Sequence, residues 1–160
     1  MDLFDVAIKM EIEGATFYRD LAARTPSEGI KKIFTMLAED EDVHKATFEA
    51  MQKETAMGEM RIDAAVTKAA KIFKALDKKE LLDEEHHLDL YQHALDIELK
   101  SIDFYSEQYE KLSDEKQKAA LEKIIEEERK HYDLIDDIMV MLEHPERWVE
   151  AAEFGVRDEY

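Results

Sequence analysis

The chain has 160 residues, a formal net charge of -18 from 40 acidic and 22 basic side chains, and no cysteine. The length is one domain's worth and enough to bury a core, while four glycines and two prolines are too few for a turn-rich β protein. So acidic a surface repels nucleic-acid phosphates and anionic membranes, and the lack of cysteine excludes a disulfide framework, a thiol nucleophile and a thiolate metal site.

The first amphipathic segment runs from about residue 3 to 23. Its inward stripe is Phe4, Ala7, Glu11, Gly14, Tyr18 and Leu21, which is helical spacing with a charge in its middle. Thr25-Pro26-Ser27 breaks the chain, and a second helix is predicted from about 28 to 57, with the stripe Ile30, Phe34, Leu37, Glu41, His44, Phe48 and Met51. Gly58 opens a connection over 58–83 that contains a short helical pattern from Ala64 to Leu76. A third helix is predicted over about 84–111 (Ala94, Glu98, Ser101, Tyr105) and a fourth over about 115–142 (Leu121, Ile124, Glu128, His131, Ile135, Ile138), with Ser113 or Asp114 as its cap. Pro145 ends it, and Trp148 and Phe154 belong to a C-terminal segment over 145–160 that is expected to fold back on the bundle. Short turns make each helix pair an antiparallel hairpin, and the long middle connection fits a crossover along a four-helix bundle. No apolar run reaches membrane-spanning length and Met1 to Phe4 starts no signal peptide, so a single cytoplasmic domain is expected.

The two hairpins repeat at one offset. The differences 98−11, 105−18, 128−41 and 131−44 are all 87, and the same offset pairs Phe17 with Phe104, Ala7 with Ala94 and Phe34 with Leu121. It selects Glu11, Glu41 and His44 in one half and Glu98, Glu128 and His131 in the other. Glu84 and His87 share the Glu-x-x-His spacing, but they sit in a run of charged and His residues without a repeat partner and read as solvated surface. Residues at i and i+3 lie on one helix face, so each Glu and His of the repeated pairs reach a common point. Four carboxylates facing a bundle centre cannot stay ionised and unpaired without a cost of several kcal/mol each, and no Lys or Arg holds a matching stripe position. Two divalent cations would neutralise them, and a mixed oxygen and nitrogen set suits iron or manganese. Each of Tyr18 and Tyr105, seven residues after its Glu, either reaches back to hydrogen-bond a ligand carboxylate or packs in the core with its hydroxyl satisfied elsewhere.

One Glu from each of two helices, with Glu-x-x-His from each of the others, resembles the ligand set of rubrerythrins, bacterioferritins and related di-iron carboxylate proteins. The stretches that carry the resemblance are MEIEGATFY, EDEDVH, DIELKSIDFY and EEERKH. It implies an all-α ferritin-like bundle with two iron ions, or manganese, bridged by Glu41 and Glu128. Glu11 and Glu98 would be terminal ligands, with His44 and His131 each on one metal. Glu13 is the nearest rival to Glu11, but its counterpart at the 87 offset is Lys100. Peroxide-reducing rubrerythrins carry an extra Glu three residues after the third-helix ligand; here Ser101 stands there, with Gly14 as its mate, leaving the plainer six-residue set. The resemblance implies a redox enzyme acting on peroxide or dioxygen, with Tyr18 and Tyr105 orienting ligands or relaying protons. Electrons would come from an external donor protein or small reductant, and the chain would form a homodimer. The alternatives are iron binding, storage or ferroxidase activity, and a dimanganese protein that consumes peroxide.

Overall fold

Three of the four helices among the described residues begin on a side chain that satisfies amides with no intrahelical partner. In the computed structural model, which describes residues 2–53 and 88–144, helix α1 spans Leu3–Arg24, α2 Glu28–Gln52, α3 Leu88–Lys111 and α4 Glu115–Glu143. Asp2 and Asp5 form a reciprocal capping box at the start of α1, with N···O distances of 2.9 and 3.1 Å. Ser27 accepts from the Ile30 amide at 3.1 Å. Of the two candidates before α4, Asp114 is the cap, accepting from Lys116 and Gln117 at 2.9 and 3.0 Å. Each such cap contributes about 1 kcal/mol.

Prolines set two of the stops. Thr25, before Pro26, is extended (φ -75°, ψ 137°), and His144, before Pro145, leaves the helical region (φ -134°, ψ 69°). Helix α2 ends at Gln52, short of the expected Met57, with the Lys53 amide bonded to the Glu49 carbonyl. Met51, Gln52 and Lys53 are all good helix formers, so neither propensity nor periodicity signals that end. The expected crossover 58–83, its short helix Ala64–Leu76, the Glu84/His87 pair and the segment 145–160 lie outside the described residues.

Cross-helix contacts fix the packing. Tyr18 meets Glu98 and Tyr105 meets Glu11, so α1 and α3 run antiparallel. His44 meets Glu128 and His131 meets Asp40, so α2 and α4 do as well. Since α1–α2 and α3–α4 are hairpins, α2 runs parallel to α3, and the end of α2 and the start of α3 lie at opposite ends of the bundle. This is the ferritin-like all-α arrangement that the loop lengths predict.

The core has three tiers. One apolar cluster contains Leu21, Ile30, Phe34, Leu37, Tyr91, Leu134 and Ile138, and a second contains Ala7, Phe48, Met51, Leu121 and Ile124. Between them lies a buried layer of carboxylates and imidazoles. Even the two large apolar side chains left exposed among the described residues, Ile12 and Leu99, stand 87 apart, so the repeat is a property of the whole hairpin. No helix among the described residues is long and apolar enough to cross a membrane.

Candidate metal centre

All six residues selected by the repeat meet in the middle tier, and none is more than 2% exposed. Glu41 and His44 come from neighbouring turns of α2, Glu128 and His131 from the same places on α4, Glu11 from α1 and Glu98 from α3. His44 Nδ1 lies 2.7 Å from Glu128 Oε1, and its mirror pair, His131 Nδ1 and Glu41 Oε1, is 3.0 Å apart. His44 Nδ1 to Glu11 Oε2 is 3.5 Å, and His131 Nδ1 to Glu98 Oε1 is 3.4 Å. Exchanging each residue for its counterpart 87 positions away in the other hairpin converts each contact into its twin. An approximate twofold axis therefore passes through the layer, relating one hairpin to the other.

The tyrosines obey the same axis. Tyr105 Oη donates to Glu11 Oε1 at 2.7 Å, and Tyr18 Oη donates to Glu98 Oε1. Each phenol does meet a carboxylate of the set, but it reaches across to the other half instead of back along its own helix. Antiparallel packing of α1 on α3 brings the opposing Glu closer than the one two turns away. Burial first, and then the adjoining carboxylates, push both phenols well above their ordinary pKa, so both keep their protons.

The electrostatics of the layer divide its carboxylates. Burial, followed by repulsion from Glu11, raises Glu41 well above the ordinary range; burial and Glu98 do the same to Glu128. Burial would also raise Glu98, but its close contacts with Glu128, His131 and Tyr18 outweigh it and lower its pKa. Burial alone would lower the two histidines. Glu11 outweighs it at His44, and Glu98 with Asp40 outweighs it at His131, which rises well above its ordinary value. Without a cation, the layer must hold protons to limit its own repulsion.

The donor set fits two cations. Glu11, Glu41, His44 and Glu128 offer ligand atoms within 4.8 Å of one another, and so do Glu41, Glu98, Glu128 and His131. Glu41 and Glu128 belong to both groups, as bridging ligands must. Glu11 Oε2, Glu41 Oε1, Glu98 Oε2, both oxygens of Glu128, and Nδ1 of each histidine have no hydrogen-bond partner although they are buried. Each such atom costs about 1–3 kcal/mol unless something else satisfies it. No Lys or Arg is buried among the described residues.

Two further acids border the layer. Asp40 (3% exposed) and Glu127 (1%) are themselves 87 apart, each one residue before a bridging candidate. His131 Nε2 lies 2.7 Å from Asp40 Oδ2. Burial would raise Asp40, but the bonds from His131 and Glu127 lower it to about 2, so the carboxylate is ionised and accepts. Burial, and then Asp40, push Glu127 up to about 8, so Glu127 carries the proton between these two acids. Sequence reasoning missed both: the 87 offset pairs them, but it also pairs exposed acids such as Glu39 and Glu126, and only their burial sets them apart. Gly14 also has a role: a Cβ there would stand 3.1 Å from Glu41 Oε2, so the missing side chain lets that carboxylate lie against α1. Ser101, its mate, is buried beside the site at 4% exposure.

A family model described as Rubrerythrin matches residues 2–139, which include all six of the converging residues. Comparison with curated proteins and with solved structures found no match.

Proposed function

The chain belongs to the rubrerythrin family, and from that membership we propose that it is a di-iron oxidoreductase that reacts with peroxide or dioxygen, using electrons from an external donor. The observation that carries the reading is the twofold set of buried, unpartnered donor atoms on Glu11, Glu41, His44, Glu98, Glu128 and His131. Glu41 and Glu128 would bridge the two ions, Glu11 and His44 would complete one position, and Glu98 and His131 the other. Such a pair, when bound, supplies one electron per ion and a Lewis-acidic surface for a small oxidant.

The remaining chemistry belongs to the protein. The two apolar tiers exclude bulk water from both ends of the layer, which strengthens every charge interaction within it. Tyr18 and Tyr105 hold the terminal carboxylates by one oxygen each, leaving the second oxygen of Glu98 and of Glu11 free to bind. Their high pKa values make them proton holders that keep those carboxylates oriented. Oxygen and imidazole donors suit iron and also manganese; elemental analysis of the purified protein distinguishes the two. The activity is tested by loading the apo protein with ferrous iron anaerobically and mixing it with peroxide or with dioxygenated buffer. Oxidation faster than that of free ferrous iron is expected, and an equal rate with both oxidants would overturn the reading.

A further inference from the structure

Three contact types in the metal layer come in twins, and the hydrogen bond to the far nitrogen of His131 does not. His44 with Glu128 mirrors His131 with Glu41, His44 with Glu11 mirrors His131 with Glu98, and Tyr18 with Glu98 mirrors Tyr105 with Glu11. His131 Nε2 with Asp40 at 2.7 Å should mirror His44 Nε2 with Glu127. That second bond is missing: His44 Nε2 and Glu127 Oε1 are both buried without a hydrogen-bond partner. The two acids at this register differ in length: Asp40 sets its carboxylate against the opposing imidazole, while Glu127, one methylene longer, leaves its mirror imidazole without a partner.

We infer that Asp40 is a positioning residue that makes the two metal positions unequal: the ion held by His131 binds more tightly than the ion held by His44. A carboxylate on the far nitrogen of a ligating imidazole fixes the ring's orientation and tautomer and raises its basicity. Asp40 does this for His131, leaving Nδ1 aimed at Glu41 and Glu98. His44 has no such anchor and must spend ring freedom on binding. The inference rests on the two-ion reading of the site, and the test separates the two.

The full-length apo protein is given one equivalent of Co²⁺, crystallised, and measured by anomalous diffraction. Cobalt occupancy is expected to be several-fold higher beside His131 than beside His44. In solution, chelator competition followed by the Co²⁺ absorption spectrum should resolve two binding steps. Asp40→Ala should weaken the tighter one about 10–100-fold and leave the other within about twofold. Asp40→Asn, which keeps the shape of the side chain, guards against a folding failure and should move the same step in the same direction by less. Equal occupancy in the unaltered protein, or variants that weaken both steps alike, would overturn the inference while leaving a two-ion site standing. Failure to bind cobalt at all would overturn both.

Discussion

Tyr105 on α3 donates its hydroxyl proton to Glu11 on α1 at 2.7 Å, so the second hairpin positions a terminal ligand candidate of the first. Tyr18 and Glu98 repeat the relationship in the other direction. The α1–α3 seam is therefore an exchange of supports: neither half of the layer is complete without a side chain from its counterpart.

Removing one support tests this. Tyr105→Phe keeps the ring packed against Phe48 and Phe104 but leaves Glu11 Oε1 without its donor. Apo stability is expected to fall by about 1–3 kcal/mol in denaturant unfolding, the range for a buried acceptor left unsatisfied. Tyr18→Phe should match it within about twofold. No loss for either variant would show that the phenols only pack.

The apo protein should prefer mildly acid conditions. Glu41, Glu127, Glu128, His44 and His131 all have raised values, so the folded chain keeps protons that the unfolded chain gives up. Their stabilisation is present at low pH and is lost as pH rises, for Glu127 between its ordinary 4.5 and about 8. Asp40 and Glu98 are lowered and act oppositely: their contribution is lost as pH falls below about 4, for Asp40 between 3.8 and about 2. A maximum of apo Tm near pH 5 and a decline towards pH 8 are expected. With metal bound, the carboxylates must be deprotonated, so the decline should disappear. A flat apo profile in calorimetry would contradict this account of the layer.

Neutralising a bridging candidate should separate stability from binding. Glu128→Gln removes a carboxyl whose pKa burial and Glu98 raise well above the ordinary range, so that its ionisation costs the folded apo protein stability. At pH 8 the apo variant is expected to melt higher than the parent by about 2–4 °C per kcal/mol relieved. It should also lose tight metal uptake, because Glu128 belongs to both ligand groups. A lower melting temperature with uptake intact would count against a bridging role.

Gly14→Ala sets two effects against each other. Alanine favours the helix by about 1 kcal/mol over glycine, but its Cβ would stand 3.1 Å from Glu41 Oε2 and displace that carboxylate by a few tenths of an ångström. Apo stability should therefore hold or rise, while affinity for the metal ions falls about tenfold by competition titration. Unchanged affinity would mean that Glu41 adjusts freely.

Much of this site was legible because two periodicities coincide in the sequence. The helical stripe placed Glu41, His44, Glu128 and His131 inward, and the 87-residue repeat separated them from other acids in a chain where 39% of residues are charged. Asp40 and Glu127 escaped because each lies one residue, about 100° of rotation, from the stripe. Beside so many surface acids, nothing local marks them as buried. Their burial follows from α2 packing on α4, which no single-helix pattern contains. The exchange of tyrosines was hidden for the same reason, since intrahelical spacing carries no information about which helix lies opposite. The end of α2 at Gln52 was hidden because Met51, Gln52 and Lys53 all continue a helix equally well.

The approximate axis through the layer also bears on chain economy and ancestry. An assembly of two identical hairpins would be obliged by symmetry to carry the same residue at positions 40 and 127, and its two ion positions would be indistinguishable. Joining both hairpins in one polypeptide removes that obligation. The two halves keep a common scaffold yet are free to diverge, and a difference of one methylene between Asp40 and Glu127 is enough to distinguish them.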